Sequence, residues 1–109
     1  MTVLEELQTL VQKINQNPEH IIGEKNRIFQ INLEESGSFQ IILKDGNVEV
    51  IEGNEYDAEV TLSMSEKNFS KLLKDELNTT MAFMTGGLKV EGKIGSALKL
   101  QEIVKKYQN

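Results

Sequence analysis

The chain of 109 residues has no cysteine and no tryptophan, one proline and one histidine. Each shortage closes a class of function. Without cysteine, disulfides and thiolate metal sites are excluded. The single histidine, His20, lies in the polar stretch Asn17-Pro18-Glu19-His20. It cannot build a histidine-rich zinc site, and a general base needs orienting partners that this stretch does not supply. No apolar run approaches the ~20 residues that span a bilayer. The first residues, MTVLEELQTL, are acidic where a signal peptide would be basic and then apolar, so none is expected and the cytoplasm is the default compartment. Positive charge is short as well. Seventeen acidic residues oppose twelve basic ones, net −5, and only Lys99, Lys105 and Lys106 cluster. These three belong to a terminal helix, where cations are an ordinary choice, so no nucleic-acid partner is expected.

What is present is amphipathic pattern. Val3, Leu4, Leu7, Leu10, Val11 and Ile14 recur at helical spacing behind Thr2, an N-cap candidate, and the helix ends at Asn17-Pro18. Its polar face is acidic and glutamine-rich instead of basic, which favours packing on a core over lying on a membrane. The period then drops to two. Phe29, Ile31 and Leu33 alternate with polar residues, as do Phe39, Ile41 and Leu43 after a turn, with Ile42 out of phase. Asp45-Gly46 signals a two-residue hairpin into Val48 and Val50. A fourth strand carries Ala58, Val60, Leu62 and Met64. Ser65 caps a helix bearing Phe69, Leu72 and Leu73, with Met64 and Phe69 placed as a hydrophobic staple. A short helix starts at Asn78 or Thr79 and stops at Gly86-Gly87. Leu88 and Val90 form a fifth strand. The last helix begins near Gly95-Ser96 and presents Ala97, Leu100, Ile103, Val104 and Tyr107. One-faced strands with segregated helices predict an α+β layer fold, as a single domain over residues 1–109.

Catalytic and ion-binding motifs fail on inspection. Gly87, Gly92 and Lys93 reproduce the spacing of a phosphate-binding loop, but Ile94 stands where a magnesium-binding hydroxyl is required. The interior, Leu88-Lys89-Val90-Glu91, alternates like a strand. Asp45-Gly46-Asn47-Val48-Glu49 begins like a calcium loop, yet its sixth and twelfth positions hold Val50 and Tyr56. The acidic doublets Glu5-Glu6 and Glu34-Glu35 point to opposite sides of their elements and form no acid/base pair. There is no Gly-x-Ser-x-Gly elbow. No enzyme and no cofactor are expected.

Asn78-Thr79-Thr80-Met81-Ala82-Phe83-Met84-Thr85-Gly86 is the exception to one-sided burial. Met81, Phe83 and Met84 occupy more than one side of a helix about two turns long. Such a cluster means either deep burial in a small core or a pocket for an apolar ligand, for which methionine is suited.

Over nearly its whole length the chain resembles the sterol carrier protein (type two) lipid-binding domain family. The likeness is carried by Asp57-Ala58-Glu59-Val60-Thr61-Leu62-Ser63-Met64-Ser65, by Phe69 and Leu72, and by Ala82-Phe83-Met84-Thr85-Gly86-Gly87-Leu88-Lys89-Val90-Glu91-Gly92 followed by Ala97 and Leu100. Asp75-Glu76 departs from a glycine turn usual at that place. The resemblance implies a five-stranded mixed, mainly antiparallel sheet with helices packed on one face and an apolar tunnel between the layers. It also implies non-catalytic binding, and transfer, of fatty acid, acyl-CoA, phospholipid or sterol-like lipids. The lining residues it implies are Phe39, Ile41, Met64, Leu77, Met81, Phe83, Met84, Leu100 and Val104. The expected partner is an apolar lipid, with at most transient membrane contact. A homodimer or a partner protein stays open, as does a rival reading: an interaction or accessory module with a packed core and no cargo.

Overall fold

The computed structural model describes residues 2–108. Helix α1, Val3–Gln16, opens on a reciprocal cap. The Glu5 amide donates to the Thr2 hydroxyl at 3.2 Å and the Thr2 amide donates to the Glu5 carboxylate at 3.0 Å. That hydrogen bond from the Thr2 backbone is the main reason the Glu5 carboxyl is held below its ordinary pKa. The helix buries Val3, Leu7, Leu10 and Ile14 and ends at Asn17, after which Pro18–His20 make a single 3-10 turn.

Strands β1 (Arg27–Leu33), β2 (Gly37–Lys44) and β3 (Asn47–Glu52) form the expected antiparallel meander. Asp45 and Gly46 both take positive φ, 53° and 73°, which gives the right-twisting two-residue turn their sequence signals. Strand β4 (Val60–Met64) lies beside β1 and parallel to it, and β5 (Leu88–Gly92) closes the edge antiparallel to β4. The order β3-β2-β1-β4-β5 is thus mixed and mainly antiparallel.

Alternation sends Phe29, Ile31, Phe39, Ile41, Leu62 and Met64 to one face, all at 6% exposure or less. There they meet α1, α2 (Glu66–Leu73) and α4 (Ile94–Tyr107). The other face is not simply solvated. Gln40 and Gln30 are buried, at 0% and 6% exposure. The Gln40 amide donates to Gln30 Oε1 (2.9 Å) and to the Tyr56 carbonyl (2.7 Å), while the Tyr56 amide donates back to Gln40 Oε1 (3.2 Å). Two side chains thereby hold the segment before β4 across the back of the sheet. Their polar groups are paired, as burial requires.

Helix α3 (Thr79–Thr85) is capped by the Asn78 side chain, which accepts from the Met81 amide at 3.0 Å. It stops at Gly86 with φ 84°. Between α2 and α3, Asp75 itself adopts φ 57°. A short polar side chain tolerates that left-handed turn, which explains how the chain manages without glycine there.

Candidate functional site

The space between sheet and helices is unevenly filled. Under α1, α2 and the C-terminal half of α4, the layers close down to a void of about 30 Å³ bordered by Ile41, Leu43, Leu100 and Val104 among others. This is close packing. Phe39 adds an edge-on contact to Phe69, ring centroids 5.5 Å apart.

At the β5 edge the layers part. A cleft of about 220 Å³ opens between α3 and the N-terminal half of α4, above β4 and β5. Its floor is Leu62, Leu88 and Val90, with Leu72 behind. One wall is Thr79, Thr80 and Phe83 of α3, and the other is Ile94, Ala97, Leu98 and Gln101 of α4. Polar groups are few and sit together: the Thr79 hydroxyl donates across to Gln101 Oε1 at 2.7 Å.

Backbone geometry fixes the α4 wall. Gly92 turns the chain from β5 into α4 at φ 96°, and a Cβ there would lie 2.5 Å from the Glu59 carbonyl oxygen. That carbonyl accepts from the Lys93 amide at 2.9 Å. One turn on, the buried Ser96 hydroxyl hydrogen-bonds the Glu59 carboxylate, and Arg27 Nη1 reaches both, 3.2 Å from Glu59 Oε2 and 3.3 Å from Ser96 Oγ. The first turn of α4 is thus tied to β1 and β4, which places Ile94, Ala97 and Leu98 over the cleft. Gly87, Gly92 and Lys93 belong to a strand and a helix start, so their phosphate-loop spacing is accounted for without any phosphate.

The nine residues expected to line a tunnel divide into three groups. Phe39, Ile41, Met64, Leu100 and Val104 are buried, Ile41, Leu100 and Val104 against the small void. Phe83 lines the cleft, and Leu77 is half-buried against the core. Met81 and Met84 are corrected: they stand 56% and 75% exposed, outside the cleft lining. The reason is angular. At 100° per residue, the turn that aims Thr79, Thr80 and Phe83 at the cleft carries Met81 and Met84 round to the outer side. Sequence reasoning missed Ile94, Leu98 and Gln101. Ile94 and Leu98 fall off the apolar stripe of α4, and an off-stripe apolar residue beside a short helix was the available signal.

Among the described residues, no helix is long and apolar enough to cross a membrane, and no group of three or more His, Cys, Asp or Glu could hold a metal ion.

The model of the SCP-2 sterol transfer family matches residues 4–105. Hydroxysteroid dehydrogenase-like protein 2 of Xenopus tropicalis is 40% identical over 77 residues, covering 70% of this chain but 18% of that protein. The chain therefore corresponds to under a fifth of the length of that curated relative. Among solved structures, sterol carrier protein domain 2 of Helicoverpa armigera superposes with a TM-score of 0.74 at 20% identity, over 97% of this chain and 87% of that one. Sterol carrier protein 2 of Aedes aegypti, in complex with the C16 fatty acid palmitate, gives 0.71 at 16% identity over 94% and 96%. At such identities these two likenesses speak to the fold.

Proposed function

The chain belongs to the SCP-2 sterol transfer family, and from that premise we propose that it binds a long-chain lipid such as a fatty acid in the α3–α4 cleft, without chemical turnover. The observation that carries the reading is the cleft itself: an apolar floor and walls with one polar pair, Thr79 and Gln101, where a headgroup could be received. The palmitate-bound Aedes protein, alike in fold, supports the ligand class.

Magnitudes are compatible. About eight methylenes buried at ~0.8 kcal/mol each supply roughly 6 kcal/mol before association costs. At about 220 Å³ the cleft is smaller than common ligand pockets, which run roughly 300–1,000 Å³. A C16 tail therefore requires α3 to move outward or leaves its end outside. The rival module without cargo draws on the close-packed central layer, so the lipid reading stands or falls on the cleft alone. Catalysis by this segment has no candidate: His20 lies outside the cleft lining, with its ring against Tyr107. The cytoplasm is the compartment we propose with this reading, from the cysteine-free composition.

Native mass spectrometry of protein prepared without detergent, then titrated with palmitate, tests the proposal. The expected result is a one-to-one complex, either co-purified or formed on titration. Only unliganded protein at excess palmitate would leave the packed module in its place.

A further inference from the structure

Exposed apolar side chains are concentrated on this protein. Among the described residues, seven large hydrophobic side chains are more than half exposed, and five of them fall between Met81 and Leu98. Phe83, Ile94 and Leu98 rim the cleft, while Met81 and Met84 continue the same surface around α3. Contiguous apolar surface of this kind marks a site of interaction. Charge is distributed to match. Residues 77–101 carry Lys89, Lys93 and Lys99 against Glu91 alone, net +2, whereas the rest of the chain has nine basic and sixteen acidic residues, net −7. Lys99 is engaged by Glu24 and Glu102 at 3.3 and 3.2 Å. Lys93, directly before Ile94, is exposed.

We propose that this face docks on a lipid bilayer bearing anionic headgroups and sets the mouth of the cleft against the acyl chains. The inference rests on the lipid-binding reading of that cleft and adds where cargo would be exchanged. Three observations select a bilayer over other occupants. The patch is continuous with the cleft, so the surface that meets the membrane is the one a lipid must cross. Methionines at its outer side adapt to a fluid partner. The charge asymmetry orients the molecule: an anionic surface attracts the lysine-bearing side and repels the acidic remainder. A second copy placed symmetrically on the patch would instead oppose net positive charge to net positive charge. Helix α1 is not the docking element, because its apolar stripe of Val3, Leu7, Leu10 and Ile14 is already spent in the core.

The experiment is flotation of the full chain with vesicles of phosphatidylcholine alone, or mixed equally with phosphatidylglycerol, at low and high salt. Wild type, Met81→Gln/Met84→Gln and Lys93→Glu are compared, with fatty-acid binding measured separately in vesicle-free solution. The exposed positions make both variants safe for the fold. Wild type is expected to float with the mixed vesicles at low salt. The double variant should lose roughly tenfold in partitioning. Lys93→Glu should lose roughly fivefold at low salt and little at high salt, and both variants should bind fatty acid as wild type does. Fatty-acid binding by wild type with no flotation, or with flotation indifferent to both variants, overturns the docking and spares the cargo reading. Flotation without fatty-acid binding sustains the docking and overturns the cargo reading. A wild type that sediments as a dimer, becomes monomeric in the double variant and never floats assigns the patch to a second copy and overturns the proposal.

Discussion

Ala97 and Leu100 lie three residues apart on α4, yet they face spaces that differ sevenfold in volume, about 220 Å³ against about 30 Å³. That contrast separates a hollow edge from a solid centre. Ala97→Leu adds three carbons to the wall of the cleft. In a close-packed core the same insertion would force neighbours aside and destabilise by ~1–3 kcal/mol. In the cleft the added carbons meet space and nearby apolar surface, so the stability change should stay within about 1 kcal/mol of zero. Ligand affinity should suffer instead. Three methylenes of an acyl chain lose their place, at ~0.8 kcal/mol each, about 2 kcal/mol or roughly thirtyfold in Kd. Leu100→Ala should show the opposite profile: about 2–5 kcal/mol of stability lost, because a buried side chain at 7% exposure is removed from a layer with little room to collapse. Urea midpoints followed by circular dichroism and displacement of a fluorescent fatty acid supply both readouts. If Ala97→Leu unfolds like an overpacked core, or binds fatty acid as wild type does, the cleft is not the ligand space.

Gln40→Ala should cost about 2–4 kcal/mol in urea denaturation, since the partners it abandons, Gln30 Oε1 and the Tyr56 amide and carbonyl, lose their hydrogen bonds. The Tyr107 hydroxyl donates to the Asn17 carbonyl at 2.6 Å, and burial, chiefly, pushes its pKa above the ordinary value, against a smaller lowering by the His20 amide. Folded protein thus keeps this proton to higher pH than unfolded protein, so the stabilisation is complete below a pH of ~10 and is lost as pH rises through the raised value. Tyr107→Phe should lose about 1–2 kcal/mol near neutrality and show a shallower alkaline fall in urea midpoint; an unchanged alkaline limb would contradict this.

The layers and nearly every element boundary were legible because they follow from local rules. Thr2, Ser65 and Asn78 each cap the helix their sequence announces, and the period-two runs became strands with the expected inward faces. Other features needed three-dimensional information. Gln30 and Gln40 look like solvent-side residues by alternation, yet a loop many residues away returns to cover them. Met81 and Met84 look like lining because apolar residues on several sides of a short helix suggest burial, whereas α3 covers only the sheet edge and leaves its outer side in water. The cleft drew only Phe83 from the expected residues, because composition can suggest an apolar ligand but cannot say which layer stays open.

The position of that opening has a physical cause. Across β3, β2 and β1 the sheet is covered by two helices of 14 residues, α1 and α4, and by α2, all tied to it by buried stripes. Beyond β4 the cover is α3, seven residues long, which buries Ala82 alone and is bounded by an asparagine cap and a left-handed glycine. The edge strand β5 beneath it supplies one fully buried apolar side chain, Leu88, with Val90 half-buried. Too little apolar surface meets there to close the gap, while the Arg27–Glu59–Ser96 cluster keeps the start of α4 from sliding across to fill it. With one wall pinned and the other short, α3 is the element most easily displaced by a guest that is longer than the cleft.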